Sequence, residues 1–398
     1  MSAALQKDNP EVRVAMKTCT PKGLLARERA ILDTLLPGLD EKLANFSLGE
    51  LERPGNPGIS LLRAAGGASL VIPEQYGGKG ASPLQSIRVQ RALGSRSPSL
   101  AIAATMHNFS IATLVEFGIF DTADESGTVL LSAVANNNLL MASGFAEGRS
   151  GVNILAATMT ARPTPDGGYL ISGSKRPCSL AYSMDLLSAS VRLEDPAGGR
   201  SRRAVVLIPA DSPGIERRPF WRSSVLTGAE SDEVILTDVP IPGDLLFFPA
   251  AEEQLDPVEV AGYLWFQLLV SASYLGVATG LVERVILADR GRPEEQTLLG
   301  IEVEAAMEAL ENVAQAMMSE PKQELLPRAL IARYATQAAI ERASTLACEL
   351  LGGMAFITSS DLPYLIGACK ALAFHPPSRL SSSVALAQYC KGGSLQWV

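Results

Sequence analysis

Hydrophobic patterning changes twice along the chain, and the two changes divide it into three parts. Up to about Asn138 apolar residues recur at helical spacing: Ala30, Ile31, Leu35 and Leu39 form one series, and the apolar positions from Ile102 to Leu114 form another. Between them Leu70-Val71-Ile72 runs into Pro73-Glu74-Gln75-Tyr76-Gly77-Gly78-Lys79-Gly80. A proline and three glycines after an apolar run predict a turn that brings backbone close to something, or a plain chain reversal.

From about Leu139 to Pro242 the pattern becomes alternating. Thr158-Met159-Thr160-Ala161-Arg162 and Tyr169-Leu170-Ile171-Ser172 flank Pro165-Asp166-Gly167-Gly168, which predicts a hairpin, because Asp-Gly tolerates the backbone a tight turn requires. Short apolar runs at Leu186 to Val191, Ala204 to Ile208 and Val234 to Leu236 are separated by turn formers, so this part reads as a small antiparallel β domain. From about Asp256 the helical period returns. Leu330, Tyr334, Ala338, Leu346 and Leu350 fall at multiples of four, and the run stops at Gly352-Gly353, as a helix C-terminus does. The predicted class is α+β, with an N-terminal helical domain over 1–138, a central antiparallel β domain over 139–245 and a C-terminal helical bundle over 246–398.

Composition narrows what such a chain does. An apolar fraction of 47% with 19% charged residues supports packed cores across 398 residues. A net charge of -8 leaves no surplus of Lys and Arg to replace phosphate counterions, so no nucleic-acid partner is expected. Five cysteines are scattered without a CxxC pair and the start has no charged region followed by an apolar stretch, so reduced thiols in the cytoplasm are the expectation. Two histidines and no cysteine cluster offer no metal site. Val260 to Val282 is 23 residues without a formal charge, long enough to cross a bilayer. Its Gln267, Ser271, Ser273, Tyr274 and Thr279, and the small face of Gly276 and Gly280, suit instead a helix buried in a bundle or subunit interface, so no membrane span is expected.

Four motifs, in order, carry a resemblance. They are Ile72-Pro73-Glu74-Gln75-Tyr76-Gly77-Gly78-Lys79-Gly80; Gly167-Gly168-Tyr169-Leu170-Ile171-Ser172-Gly173-Ser174-Lys175 with Arg176-Pro177-Cys178-Ser179; Val234-Ile235-Leu236-Thr237-Asp238-Val239-Pro240-Ile241-Pro242; and Cys348-Glu349-Leu350-Leu351-Gly352-Gly353. Together they are similar to the VPxxYGGxG, GGYxLNGxKxWIT, FxDVxVP and QxLGG segments of the acyl-CoA dehydrogenase family, and their spacing covers nearly the whole chain. The resemblance implies a C-terminal four-helix bundle, FAD between the β domain and the last helices, and a homo-oligomer, dimer or tetramer, in which a neighbouring subunit completes each flavin site.

A flavin needs donors near N5 and the pyrimidine edge, small residues beside the pyrophosphate and a cation near its phosphates. By the resemblance Ser179 takes the position of the threonine that bonds N5 and Ser143 that of a hydroxyl at the pyrimidine edge. From spacing alone both also suit local turn hydrogen bonds. Arg292 falls in register with an arginine that reaches the phosphates across the subunit interface, Gly352 and Gly353 with the close approach to the dinucleotide, and Ser378 with a threonine at its nucleotide part. The chain departs from the pattern at Pro177, which replaces a tryptophan, at Glu349, which replaces the glutamine of QxLGG, and in the longer loop Gly144 to Gly151.

The largest departure concerns the base. The family's catalytic glutamate falls on Pro376, within Phe374-His375-Pro376-Pro377-Ser378, and the position on an earlier helix that some members use falls on Phe266. Neither takes a proton. His375 is the nearest titratable candidate and His107 a more distant one; an ordinary loop histidine fits His375 equally. Three functions follow. The first is dehydrogenation of an acyl thioester, on CoA or a carrier protein, with an electron acceptor and in a specialised biosynthetic step. The second is a monooxygenase of the same fold, in which reduced flavin meets O2 in a dry pocket and no glutamate is required. The third is a flavin or acyl-thioester binding protein without turnover.

Overall fold

The computed structural model describes residues 23–120, 126–148, 157–194, 202–249 and 255–395. Cys19 and residues 149–151 of the glycine-rich loop lie outside them. The N-terminal helices are α1 (Ala26–Leu35), α2 (Leu39–Ala44), α3 (Leu48–Glu52), α4 (Gly58–Ala64), α5 (Pro83–Arg96), α6 (Pro98–Phe120) and α7 (Ser126–Asn137). Local chemistry sets several of the starts. Ser47 and Glu50 cap α3 reciprocally, and Ser82 and Gln85 do the same for α5, where Pro83 occupies the first turn.

The apolar series predicted for α1 is offset. Leu32, Leu36 and Leu39 are the fully buried positions, whereas Ala30 is exposed and Ile31 and Leu35 are half-buried. The reason is tertiary: Glu28 turns inward to accept from the buried Arg91 of α5 at 2.9 Å, and the face of α1 that carries Glu28 goes with it. The turn at Pro73 to Gly80 proves to be a chain reversal closing on itself. Gly80 N–H donates to the Ile72 carbonyl at 2.8 Å, and a Cβ on Gly78 would stand 1.9 Å from the same oxygen.

The central part holds β1 (Met141–Gly144), β2 (Thr160–Pro163), β3 (Tyr169–Cys178), β4 (Leu186–Leu193), β5 (Arg202–Pro209), β6 (Ile215–Arg218), β7 (Asp232–Ile241) and β8 (Leu246–Phe247). The hairpin pairs β2 with β3 from Thr160 opposite Ser172 to Pro163 opposite Tyr169. The sheet runs β6-β7-β3-β2-β4-β5-β8 with β1 beside β4. It is mixed rather than wholly antiparallel, because β4 pairs in parallel with both β1 and β2. Alternation reports which side chains face the core but not strand direction. The crossing that follows β3 delivers β4 alongside β2 instead of in a continued meander.

The last part contains α8 (Pro257–Leu287), α9 (Pro293–Ala316), α10 (Lys322–Thr358), α11 (Asp361–Cys369) and α12 (Ser383–Cys390), of which α8 to α11 pack on one another. Asp256 and Glu259 cap α8, which is buried from Val260 to Val282 apart from a half-buried Tyr263. Its small residues admit α5 at backbone contact: a Cβ on Gly276 would stand 2.2 Å from the Arg91 carbonyl, and one on Gly94 2.1 Å from that of Ser273. Both α8 and the Pro98–Phe117 stretch of α6 are long and apolar enough to cross a membrane, yet both are mostly buried within the protein. Within α10, Gly352 at φ +84° breaks the helix where the glycine pair predicts an end, after which helical backbone resumes.

Candidate active site

The two positions at which the family's base is expected meet in space. Phe266 lies on α8 with its ring centroid 6.0 Å from that of His375 and 5.2 Å from that of Phe109 on α6, both edge-on. The next residue, Gln267, reaches the Pro376 carbonyl at 3.4 Å. Tyr263, Gln267 and Tyr274 follow one another at intervals of four and seven, so they share one stripe of α8. That stripe faces Arg333 of α10 and the segment 372–378.

Arg333 organises this contact. Its guanidinium is fully buried and donates to Gln267 Oε1 at 2.5 Å, to the carbonyls of Pro376 at 3.0 Å and Leu372 at 3.2 Å, and to that of His375. Tyr334, one residue on, donates to the Pro377 carbonyl at 3.0 Å and pairs with the Ser382 hydroxyl at 2.8 Å. The segment replacing the family's glutamate loop is thus held by its backbone. Among the described residues no carboxylate stands within 4.0 Å of the Arg333 guanidinium. Burial weakens its hold on the proton, and the neighbours that restore it are the hydroxyls of Tyr334, Tyr263 and Tyr274.

His375 sits against this charge. Its Nε2 is 2.9 Å from the hydroxyl of Tyr274, a wholly buried side chain with no other partner among the described residues. The contact fits either the phenol donating to Nε2 or Nε2–H donating to the phenol oxygen, according to the tautomer of the neutral ring. Burial first, and Arg333 second, push the His375 pKa down to about 3. Burial raises those of Tyr274 and Tyr263. His107 is a satisfied core histidine elsewhere: Nε2 is 2.9 Å from the Ala68 carbonyl, Nδ1 accepts from Met141 N–H at 2.9 Å, and burial lowers its pKa to about 4.

The residues expected at a flavin are spread over two further regions. Ser143 is buried on β1 opposite Ser188. Ser179 follows β3, and its hydroxyl lies 2.9 Å from that of Ser231. Its strap is unusual: Leu180 donates to the Ala229 carbonyl, and Leu180, Leu226 and Glu230 all have positive φ without being glycine. Gly352 and Gly353 face open space, since a Cβ on either would meet nothing within 4 Å. Ser378 accepts from Ser381 N–H at 3.1 Å in an exposed turn before α12. Arg292 caps the start of α9, with its side chain 76% exposed and 3.1 Å from Glu295. A surface cavity of about 510 Å³ lined by Leu24, Arg27, Ile286 and Glu304 contains none of these residues.

Sequence reasoning missed Arg333 and Glu52. Arg333 has a signal, for it sits on the apolar face three residues after Leu330, where a charge is out of place. Glu52 has none. At the end of α3 its carboxylate accepts from the hydroxyls of Ser97 and Ser99, each at 2.5 Å, and from that of Tyr364 on α11; burial raises its pKa. It ties the start of α6 to the strap at Leu226, whose N–H donates to the Tyr364 hydroxyl at 2.8 Å.

A family profile described as acyl-CoA dehydrogenase, N-terminal domain, matches residues 45–121. With a full-length relative besides, the chain belongs to the acyl-CoA dehydrogenase family. That relative is an isobutylamine N-hydroxylase of Streptomyces viridifaciens, 45% identical over 373 residues, which cover 92% of this chain and 98% of the relative. A dibenzothiophene monooxygenase of Rhodococcus qingshengii is 27% identical over 61% of this chain and 57% of its own length. Among solved structures, FMN-bound TdsC from Paenibacillus sp. A11-2 superposes with a TM-score of 0.75 at 18% identity, covering 94% of this chain and 99% of the other. The fold expected from the motifs is therefore the fold observed.

Proposed function

We propose that this protein is a flavin-dependent monooxygenase that hydroxylates the nitrogen of a small aliphatic amine. The observation that carries the reading is the meeting of Phe266 and the 375–376 segment near Arg333, with no carboxylate within 4.0 Å of its guanidinium among the described residues, where dehydrogenation of an acyl thioester would call for one. The similarity to an amine N-hydroxylase supports the same choice and adds the substrate class. His375 is a poor substitute base, because a neutral ring with a pKa near 3 holds an abstracted proton weakly. We assign it instead to the substrate pocket.

The residues present fit a flavin. In a pair of hydroxyls such as Ser179 and Ser231 one donates to the other, and the acceptor keeps a proton for a third group such as a ring nitrogen. Gly352 and Gly353 leave space for a dinucleotide or mononucleotide, so the FAD of the resemblance widens here to a flavin, and Ser143 and Ser378 remain proposed contacts. When bound and reduced, the flavin supplies the two electrons with which O2 gives one oxygen atom to the amine nitrogen and the other to water. The protein binds and orients the amine against Phe109 and Phe266 and keeps water out. Exposed Met354, Ile357, Phe374, Leu380 and Val384 support burial against a second copy, from which Arg292 would reach the cofactor phosphates. Free thiols at Cys178, Cys348, Cys369 and Cys390 agree with a reducing compartment.

The test is to reduce the flavin-loaded protein anaerobically, add isobutylamine and then admit ¹⁸O2. Mass spectrometry is expected to find isobutylhydroxylamine carrying one labelled oxygen. Flavin bleaching by an acyl thioester without added reductant, with no hydroxylamine formed, would return the protein to the dehydrogenases.

A further inference from the structure

The buried charge of Arg333 has a consequence for the ligand as well as for the loop. A guanidinium in a protein interior keeps its proton, and an unpaired cation there is felt over several ångströms because little water screens it. Around it stand Tyr263 and Tyr274 on α8, Tyr334 on its own helix and His375 on the segment it holds. Beyond them Glu52, Tyr364 and Cys369 come within electrostatic range of Tyr274. The tyrosines, the cysteine and the Tyr274-bonded imidazole are neutral near pH 7. Glu52 is already engaged by Ser97, Ser99 and Tyr364. The aromatic rings of Phe109 and Phe266 complete the surface beside His375 and carry no charge.

We propose that Arg333 is a specificity-determining residue: its unpaired guanidinium makes this pocket take the amine as the free base and reject the ammonium ion. The inference rests on the amine reading above and adds to it the protonation state in which substrate is admitted. An ammonium entering beside Arg333 would meet a like charge with no carboxylate within 4.0 Å of the guanidinium among the described residues to offset it. A neutral amine has a lone pair to accept from an N–H donor, and it carries no charge for Arg333 to repel. The free base is also the form whose nitrogen can attack an electrophilic oxygen. The η nitrogens of Arg333 are taken up by Gln267 and the 372–376 carbonyls, while its buried Nε has no hydrogen-bond partner among the described residues.

The experiment is calorimetric titration of the flavin-loaded protein, in its oxidised and non-reacting state, with isobutylamine and with isobutanol as the uncharged isostere, from pH 6.5 to 9.5. The expected result is an affinity for total amine that rises about tenfold per pH unit, while isobutanol binding stays level. Gln267→Glu places a carboxylate on the guanidinium with almost no change of shape and is expected to flatten the amine profile without moving that of the alcohol. This variant keeps the test sharp if Arg333→Met releases the 372–378 segment. Amine affinity that is level or falls with pH in the wild-type protein would overturn the inference and leave the amine reading standing. A rise that Gln267→Glu leaves untouched would also overturn the role of Arg333. Binding of neither probe at any pH would overturn both readings together.

Discussion

Among the described residues two arginines are wholly buried, and they are placed in opposite electrostatic settings. Arg91, where α1, α5, α8 and α9 meet, donates to Glu28 at 2.9 Å and Glu304 at 2.5 Å and to the hydroxyl of Thr279. Arg333 donates to an amide oxygen and three backbone carbonyls. The first is an ion-pair network inside a scaffold, where desolvation of one charge is offset by another. The second has no carboxylate within 4.0 Å among the described residues, in the region proposed as the active site. A buried cation with no carboxylate beside it among the described residues is costly to keep, and this cost is why the proposed active site is placed at Arg333 rather than at Arg91.

The largest effect should come from breaking the matched pair. Arg91→Leu leaves the buried Glu28 with only the partly exposed Arg27 at 3.4 Å and is expected to cost about 3–5 kcal/mol in urea denaturation. Arg333→Met removes a charge that nothing neutralises and frees carbonyls near the surface, so a smaller loss of about 1–3 kcal/mol is expected. Equal losses would erase the distinction. Glu28→Gln makes Arg91 resemble Arg333 more closely and should destabilise by roughly 1.5–3 kcal/mol, the usual weight of a hydrogen bond to a charged group.

Acid should weaken the protein in a particular window. The folded-state pKa values of His375, about 3, and His107, about 4, lie below the ordinary histidine value of 6.5. Between those limits the unfolded chain takes up protons that the folded chain refuses, so their contribution is complete above about pH 6.5 and is lost progressively as pH falls toward the folded values. His375→Asn should flatten the fall in midpoint denaturant concentration from pH 6.5 to 4.5, and an unchanged slope would show that the half-buried His375 takes up its proton in the folded protein as readily as in the unfolded chain. The smallest effect concerns Arg292, whose exposed side chain touches only Glu295. Arg292→Ala should change stability by less than about 0.5 kcal/mol. A clear drop in flavin affinity measured by fluorescence, against that level background, would show that it reaches the cofactor.

Much of the architecture could be read from the chain. The Asp-Gly signal located the β2–β3 hairpin, the glycine pair at 352–353 located the break in α10, and the charge-free run from Val260 to Val282 located the buried helix. The candidate site was half legible. Alignment brought Phe266 and Pro376 forward as the places without a base, but nothing local showed that His375 would be held by Tyr274, or that Ser179 would pair with Ser231, 52 residues away. Such contacts join residues distant in sequence, and their partners are ordinary polar side chains that carry no motif.

Periodicity, turn residues and capping chemistry are local properties, so the sequence by itself determined where several of the helices and strands begin and end. Three matters waited for the tertiary structure: the rotation of α1 toward Arg91, the parallel pairing of β4 with β1 and β2, and the unmatched charge at Arg333. Each depends on which distant groups arrive at a common point. Solvation and charge compensation are decided there, because the free energy of a buried ion is set by its neighbours in space.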